Sequence, residues 1–206
     1  GAKRRALLAL PALGALLLLR AGGAPSAGPA QHGFLGRGAD PAPATSVLPS
    51  GFSDEVAFSG LTNPTSVRFS PDGRVFVAEK SGLVEVFDSL NDTTPTVAVD
   101  LRSQVDDFWD RGMLGMTLDP NFPTTPYVYL LYTYDAPPGQ TAPVWNDACP
   151  APPGSTTDGC VVTGKLVRVH LSGDTADALP QDLISGQWCQ QYPSHSVGDL
   201  RFGSDG

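Results

Sequence analysis

An all-β fold made of repeated antiparallel units is what the sequence predicts, and three observations carry it. From Phe52 onward short apolar runs alternate with clusters of Gly, Pro, Asp and Asn, no long helical periodicity follows Leu19, and a turn of the FSPDG type recurs. The turn acids Asp72 and Asp119 lie 47 residues apart, and Asp119 and Asp205 lie 86 apart across an insertion. A period in the forties with several strands per unit is the pattern of β-propeller blades. A β-sandwich uses similar strands and turns but gives no reason for that one turn to recur.

Taken in order, residues 1–30 are expected to be a secretory signal. Lys3, Arg4 and Arg5 form a positive start, Ala6 to Leu19 an apolar run of 14, and the small residues from Ala21 to Ala30 offer cleavage positions. A membrane anchor is the alternative, but a span needs about 20 apolar residues, so no stable membrane span is expected. The KRRALL start also loosely fits a twin-arginine signal beside the general secretory route. Residues 31–50 are rich in Ala, Gly and Pro and read as a flexible linker. Residues 51–206 are expected to be the N-terminal portion of a propeller, because SDG at the end is a turn signal that sits between two strands.

Within that portion TSVRFSPDGRVFVAEKSGLVEVFD predicts a three-stranded meander, with Val67 and Phe69, Val75 to Ala78, and Leu83 to Phe87 as its strands. RGMLGMTLDPNFPTTPYVYLLYTY repeats the plan with strands at Met113 to Leu118 and Tyr127 to Tyr134, and GKLVRVHL adds a third strand after an insertion from about Ala136 to Asp158. A further strand is expected from Asp199 to Phe202.

Charge and cysteines narrow the function classes. The chain carries a formal charge of −8, which becomes −12 once Lys3, Arg4, Arg5 and Arg20 leave with the signal. Such a domain repels nucleic acid and anionic lipid. Cys149 and Cys160 flank PAPPGSTTDG and are expected to close a small disulfide ring in a secreted or periplasmic protein, with Cys189 left over. Asn91-Asp92-Thr93 is a glycosylation sequon. No phosphate-binding glycine loop, GxSxG elbow or Cys-x-x-Cys pair is present.

Among candidate residues, His195 stands in a turn-rich stretch ahead of Asp199 to Phe202 and could exchange a proton near neutral pH; a loop histidine with a structural hydrogen bond is the plainer alternative. Asp110 and Arg111 precede GMLG, where glycines could bring the charged pair toward a channel, against the alternative of a surface ion pair. His170 shares strand parity with Arg168 and is expected on a solvated face, and His32 falls in the linker. Tyr127, Tyr129, Tyr132 and Tyr134 suggest a sugar platform but fit blade packing better. The acids of SPDG and GSDG read as turn formers, and no metal ligands are expected in this chain.

GLTNPTSVRFSPDGRVFVAEKSGLVEVF, RGMLGMTLDPNFPTTPYVYLLYTY and SHSVGDLRFGSDG, in this order, resemble the N-terminal part of the soluble aldose dehydrogenases that depend on pyrroloquinoline quinone, the glucose/sorbosone dehydrogenase family. The resemblance implies a six-bladed propeller of four-stranded blades, of which this chain would hold the first two to three. It further implies a sugar substrate oxidised at the anomeric carbon to a lactone, pyrroloquinoline quinone and calcium as cofactors, and an electron acceptor and oligomeric state that it leaves open. It places His195, in H-x-x-G-x-L, at the family's base, and Asp110 with Arg111 beside the sugar or cofactor edge. Most cofactor ligands would lie beyond Gly206, so this stretch alone is expected to be inactive. Ser194 departs from the aspartate that glucose-oxidising members carry before the histidine. The competing readings are an extracellular binding propeller without catalysis and a calcium-dependent propeller lactonase.

Overall fold

The computed structural model describes residues 48–149 and 160–205. The expected signal, His32 and nearly all of the linker lie outside the described residues. Leu48 to Phe52 form a turn in which the Phe52 amide donates to the Pro49 carbonyl at 3.1 Å. From Ser53 onward the chain is one compact unit of antiparallel strands, and its described residues contain no helix.

The first sheet runs β1 (Pro64–Phe69), β2 (Val75–Glu79), β3 (Leu83–Phe87) and β4 (Thr96–Asp100) in spatial order. The predicted meander forms its first three strands. The SPDG turn closes with the Ser70 amide on the Arg74 carbonyl at 2.9 Å and the Gly73 amide on the Ser70 carbonyl at 3.0 Å. Strand β2 is buried along its whole length because both its faces are covered. Phe76 and Ala78 join a core shared with the second sheet, while Val75 and Val77 pack with Phe87, Phe58 and Leu61 on the other side. Phe58 stacks on Phe87 with ring centroids 3.9 Å apart. Strand β1 departs from the expected alternation: Val67 and Phe69 are exposed, since no described element covers their face.

The second sheet runs β5 (Met113–Leu118), β6 (Tyr127–Tyr134) and β7 (Val162–Ser172); β7 then pairs with both β8 (Thr175–Ala176) and β9 (Gln181–Gln190). Alternate residues Val128, Leu130 and Tyr132 of β6 and Val167 and Val169 of β7 point into the common core, beside Met113 and Met116 of the neighbouring β5. The tyrosines pack rather than form a platform. Tyr132 is buried, Tyr129 meets Phe202 edge-on at 5.0 Å, and Tyr127 lies against His170 and beneath Arg168. His170 also meets Asp177 at 2.7 Å.

The two sheets are tied by side chains as well as by the core. Arg74 of the first turn binds Asp72, then reaches Asp174 and the Gly173 carbonyl in the β7–β8 turn, both at 2.8 Å, and lies over the rings of Phe76 and Phe122. The Thr65 hydroxyl donates to the Met113 carbonyl at 2.7 Å. Residues 199–202 do not form the expected strand, because a strand exists only with a ladder partner and no described residue supplies one. They pack by contact instead. At Gly115 an added Cβ would come within 2.6 Å of the Gly198 carbonyl oxygen and 2.9 Å of Leu200 Cδ2, so glycine there lets this segment lie against β5.

Candidate active site

Two loops at the same end of the second sheet carry the residues in question, and β6 sews them together. In the first loop, the Asp106 amide donates to the Thr133 carbonyl at 2.9 Å and Lys80 pairs with Asp107. The loop returns through Gly112, whose carbonyl accepts from the Thr133 amide at 3.0 Å. A Cβ at Gly112 would stand 2.7 Å from the Lys80 carbonyl oxygen, and its φ is +138°, so only glycine fits that turn into β5. In the second loop, the Ser196 hydroxyl meets the Thr133 hydroxyl at 2.5 Å and donates to Gln190 at 2.9 Å. The Asp110 amide then joins the loops directly by donating to the Pro193 carbonyl at 3.3 Å.

His195 crowns the second loop as an arch between Gln191 and Ser196. It is exposed and holds φ at +60°, a left-handed backbone that histidine adopts more readily than most residues. Its Nδ1 lies 2.6 Å from the Ser194 hydroxyl, which leaves Nε2 without a partner among the described residues. A serine hydroxyl can donate or accept, so Nε2 carries the lone pair in the tautomer whose Nδ1–H donates to Ser194.

The structure divides Asp110 from Arg111. Asp110 is exposed beside the arch, while Arg111 is completely buried. The Arg111 guanidinium donates to Asp106 Oδ2 at 2.8 Å, to Cys160 Sγ at 2.8 Å, to the Cys160 carbonyl at 2.9 Å and to the Gln191 carbonyl at 3.2 Å. It is therefore neither a surface ion pair nor a group presented to a channel; its charge is consumed inside. Burial pushes the Asp106 carboxyl above its ordinary range, against the opposing pull of Arg111. Cys149 and Cys160 are bonded to one another, and Cys189 is free and exposed.

Sequence reasoning missed Trp109, Asp106 and Thr133. Trp109 precedes Asp110, is 58% exposed at φ +55°, and stacks its ring on Phe108 with centroids 5.8 Å apart. An exposed indole held in a strained backbone points to use at a surface, but nothing in FWDRG signals the left-handed turn in advance. Asp106 and Asp107 read as two solvated acids, and only the fold separates the buried one from the exposed one.

The family model for glucose/sorbosone dehydrogenases matches residues 61–206. The chain belongs to the glucose/sorbosone dehydrogenase family. Among solved structures it is similar to an oxidoreductase from Thermus thermophilus described as a glucose dehydrogenase, with 25% identity and a TM-score of 0.53 over 73% of this chain and 37% of that one. The aldose sugar dehydrogenase of Streptomyces coelicolor, solved with bound pyrroloquinoline quinone, aligns at 14% identity and a TM-score of 0.45, over 63% of this chain and 32% of that one. The apo aldose sugar dehydrogenase of Escherichia coli aligns at 16% identity and a TM-score of 0.43, over 63% and 31%. The family chain thus spans about a third of the length of these structures, which are β-propeller sugar dehydrogenases. No curated protein sequence matches it.

The described residues around the arch do not supply a grip for the carboxylates of a quinone such as the one bound in the Streptomyces coelicolor structure. The cations around the arch are bound to acids: Arg68 and Arg201 to Asp199, and Lys80 to Asp107. None is left among these to hold the carboxylates of such a cofactor. Asp106, Cys149 and Cys160 bring three ligand atoms within 4.8 Å of one another, but the sulfurs are joined and the carboxylate is held by Arg111, so this cluster does not suit calcium, a hard cation that takes oxygen ligands.

Proposed function

We propose that the complete protein oxidises an aldose at its anomeric carbon to the lactone, with His195 as the base and pyrroloquinoline quinone as the electron acceptor. The observation that carries this reading is the His195 arch: an exposed imidazole with Nδ1 held by Ser194 and Nε2 open, in the H-x-x-G-x-L setting of a glucose/sorbosone dehydrogenase.

The chain's own residues have three tasks. His195 Nε2 takes the proton of the anomeric hydroxyl, and the Ser194 hydroxyl, accepting from Nδ1–H, orients the ring for this. Asp110, held by its amide to Pro193, accepts a hydrogen bond from a neighbouring sugar hydroxyl, and the Trp109 ring offers an apolar face to the pyranose. The quinone with its calcium, when bound, would supply a two-electron sink for the hydride leaving the anomeric carbon. Their ligands are supplied by the rest of the protein. Export to a secreted or periplasmic location fits the N-terminal signal pattern and the disulfide.

The test is dye reduction by the complete protein loaded with quinone and calcium across a panel of aldoses, beside a His195→Asn variant. Asparagine tolerates the left-handed backbone, so the variant isolates the imidazole. Turnover that needs the quinone and falls about 10²–10⁴-fold in the variant supports the reading. Absence of quinone binding in a titration would favour a binding propeller, and quinone-independent lactone hydrolysis would favour a lactonase.

A further inference from the structure

We propose that Arg111 is a positioning residue for His195, and that the Cys149–Cys160 bridge acts on the sugar site through it. The proposal rests on the reading of His195 as the base.

Among the described residues, four anchors hold the arch that carries His195. Ser196 is held by Thr133 and by Gln190, Pro193 by the Asp110 amide, and Gln191 by Arg111. The fourth differs from the others, because a single buried guanidinium spans three chain segments. One nitrogen, Nη2, donates both to the Gln191 carbonyl, four residues before His195, and to the Cys160 carbonyl; the other, Nη1, donates to Cys160 Sγ and to Asp106. Asp106 in turn starts the loop that presents Trp109 and Asp110, its own carboxylate accepting from the Phe108 amide at 3.1 Å. The base and the two sugar-facing residues therefore share one rigid hub, and the disulfide fixes its outer side.

This burial is costly, since a guanidinium and a carboxylate both lose water, and it is offset by the bonds that Nη1 and Nη2 make, while Nε has no partner among the described residues. A planar fork can serve Asp106, Cys160 and Gln191 together, whereas an ammonium is a point charge that cannot keep that geometry. Rotation of the hub would shift Gln191 and Asp106 together, and so move the base relative to the sugar-facing loop without removing either. Misplacement of about 1 Å is enough to cost about 10²-fold in rate.

The test uses the complete protein carrying Arg111→Lys, with Cys149→Ser/Cys160→Ser as a second variant that leaves the Arg111–Asp106 pair in place. Sugar-saturated turnover and KM are measured separately, and backbone hydrogen exchange is followed over residues 189–196 and over the strands β2 and β6. Val169→Ala, a core change in β7, serves as a control for general loss of stability. The expected result is kcat lowered by about 10–10²-fold in both variants with KM changed far less, and faster exchange at 189–196 while β2 stays protected. The control should melt earlier yet keep its kcat and the protection of 189–196. Wild-type kcat in either folded variant, or losses that merely follow the melting temperature as in Val169→Ala, would overturn the proposal. If the wild-type protein oxidises no sugar, the reading of His195 falls, and the exchange data alone decide the hub: unchanged protection at 189–196 in the variants would overturn it.

Discussion

At the scale of single residues, the arch around His195 makes two distinct demands, one chemical and one steric. Ser194 touches His195, the proposed base, at Nδ1, so Ser194→Ala should leave KM for sugar nearly unchanged and lower kcat by about tenfold, as the imidazole loses the partner that orients it. A raised KM with unchanged kcat would place Ser194 on the substrate instead. The steric demand lies behind the arch. Gly115→Ala puts a methyl within 2.6 Å of the Gly198 carbonyl, and the segment that follows His195 must move or the strand must bend. The expected cost is about 1–3 kcal/mol of unfolding free energy, read by denaturant titration. His195 was singled out in the sequence because its motif stands in SHSVGDL. Arg111 was legible only as half of a charged pair before GMLG, since burial is a property of the fold and a lone Asp-Arg dipeptide looks the same inside and outside.

Among the elements, the meander strands were readable because apolar alternation and an SPDG turn coincide in one short stretch. Strand β4 and strand β9 were not. TVAVD follows a polar, proline-containing loop, and QDLISGQWCQ has no alternation because it lies at the edge of its sheet, exposed along nearly its whole length and held by its ladder to β7. The strand expected at 199–202 failed for the complementary reason, a strand-like sequence without a described partner. Between sheets, Arg74 does the joining. Hydrogen bonding to Arg74 holds the Asp72 carboxyl down at about 2, below its ordinary value of 3.8. A carboxylate depressed in the folded state stabilises above its unfolded pKa, and that contribution is lost as pH falls from about 4 through about 2. Stability should therefore decline over this window, and Asp72→Asn should flatten the decline. Both are read by thermal melts at stepped pH, and an unchanged slope in the variant would assign the decline to other carboxylates. Arg74→Ala should cost more than its charge suggests, about 1–3 kcal/mol, because it also uncovers Phe76 and Phe122 and strands Asp174.

At the largest scale, two sheets of the described residues share one core, and the disulfide closes the insertion that leads from the β6 end to β7. Cys149 and Cys160 are 11 residues apart, and removal of the bridge should cost about 2–4 kcal/mol, chiefly through the freedom returned to the unfolded chain. Calorimetry of Cys149→Ser/Cys160→Ser tests this, and a melting temperature equal to wild type would contradict it. The chain covers about a third of the length of its solved relatives, and the proposed oxidation is therefore a property to be tested on the complete protein. The most direct measurement is stopped-flow reduction of quinone bound to the complete protein, using an aldose carrying deuterium at the anomeric carbon, in the wild type and in His195→Asn. Reduction slowed by the deuterium in the wild type and slowed by a further factor of about 10² or more in the variant is the expected result. Quinone that stays oxidised with every aldose, or that is reduced at the same rate with and without the imidazole, would remove His195 from the chemistry.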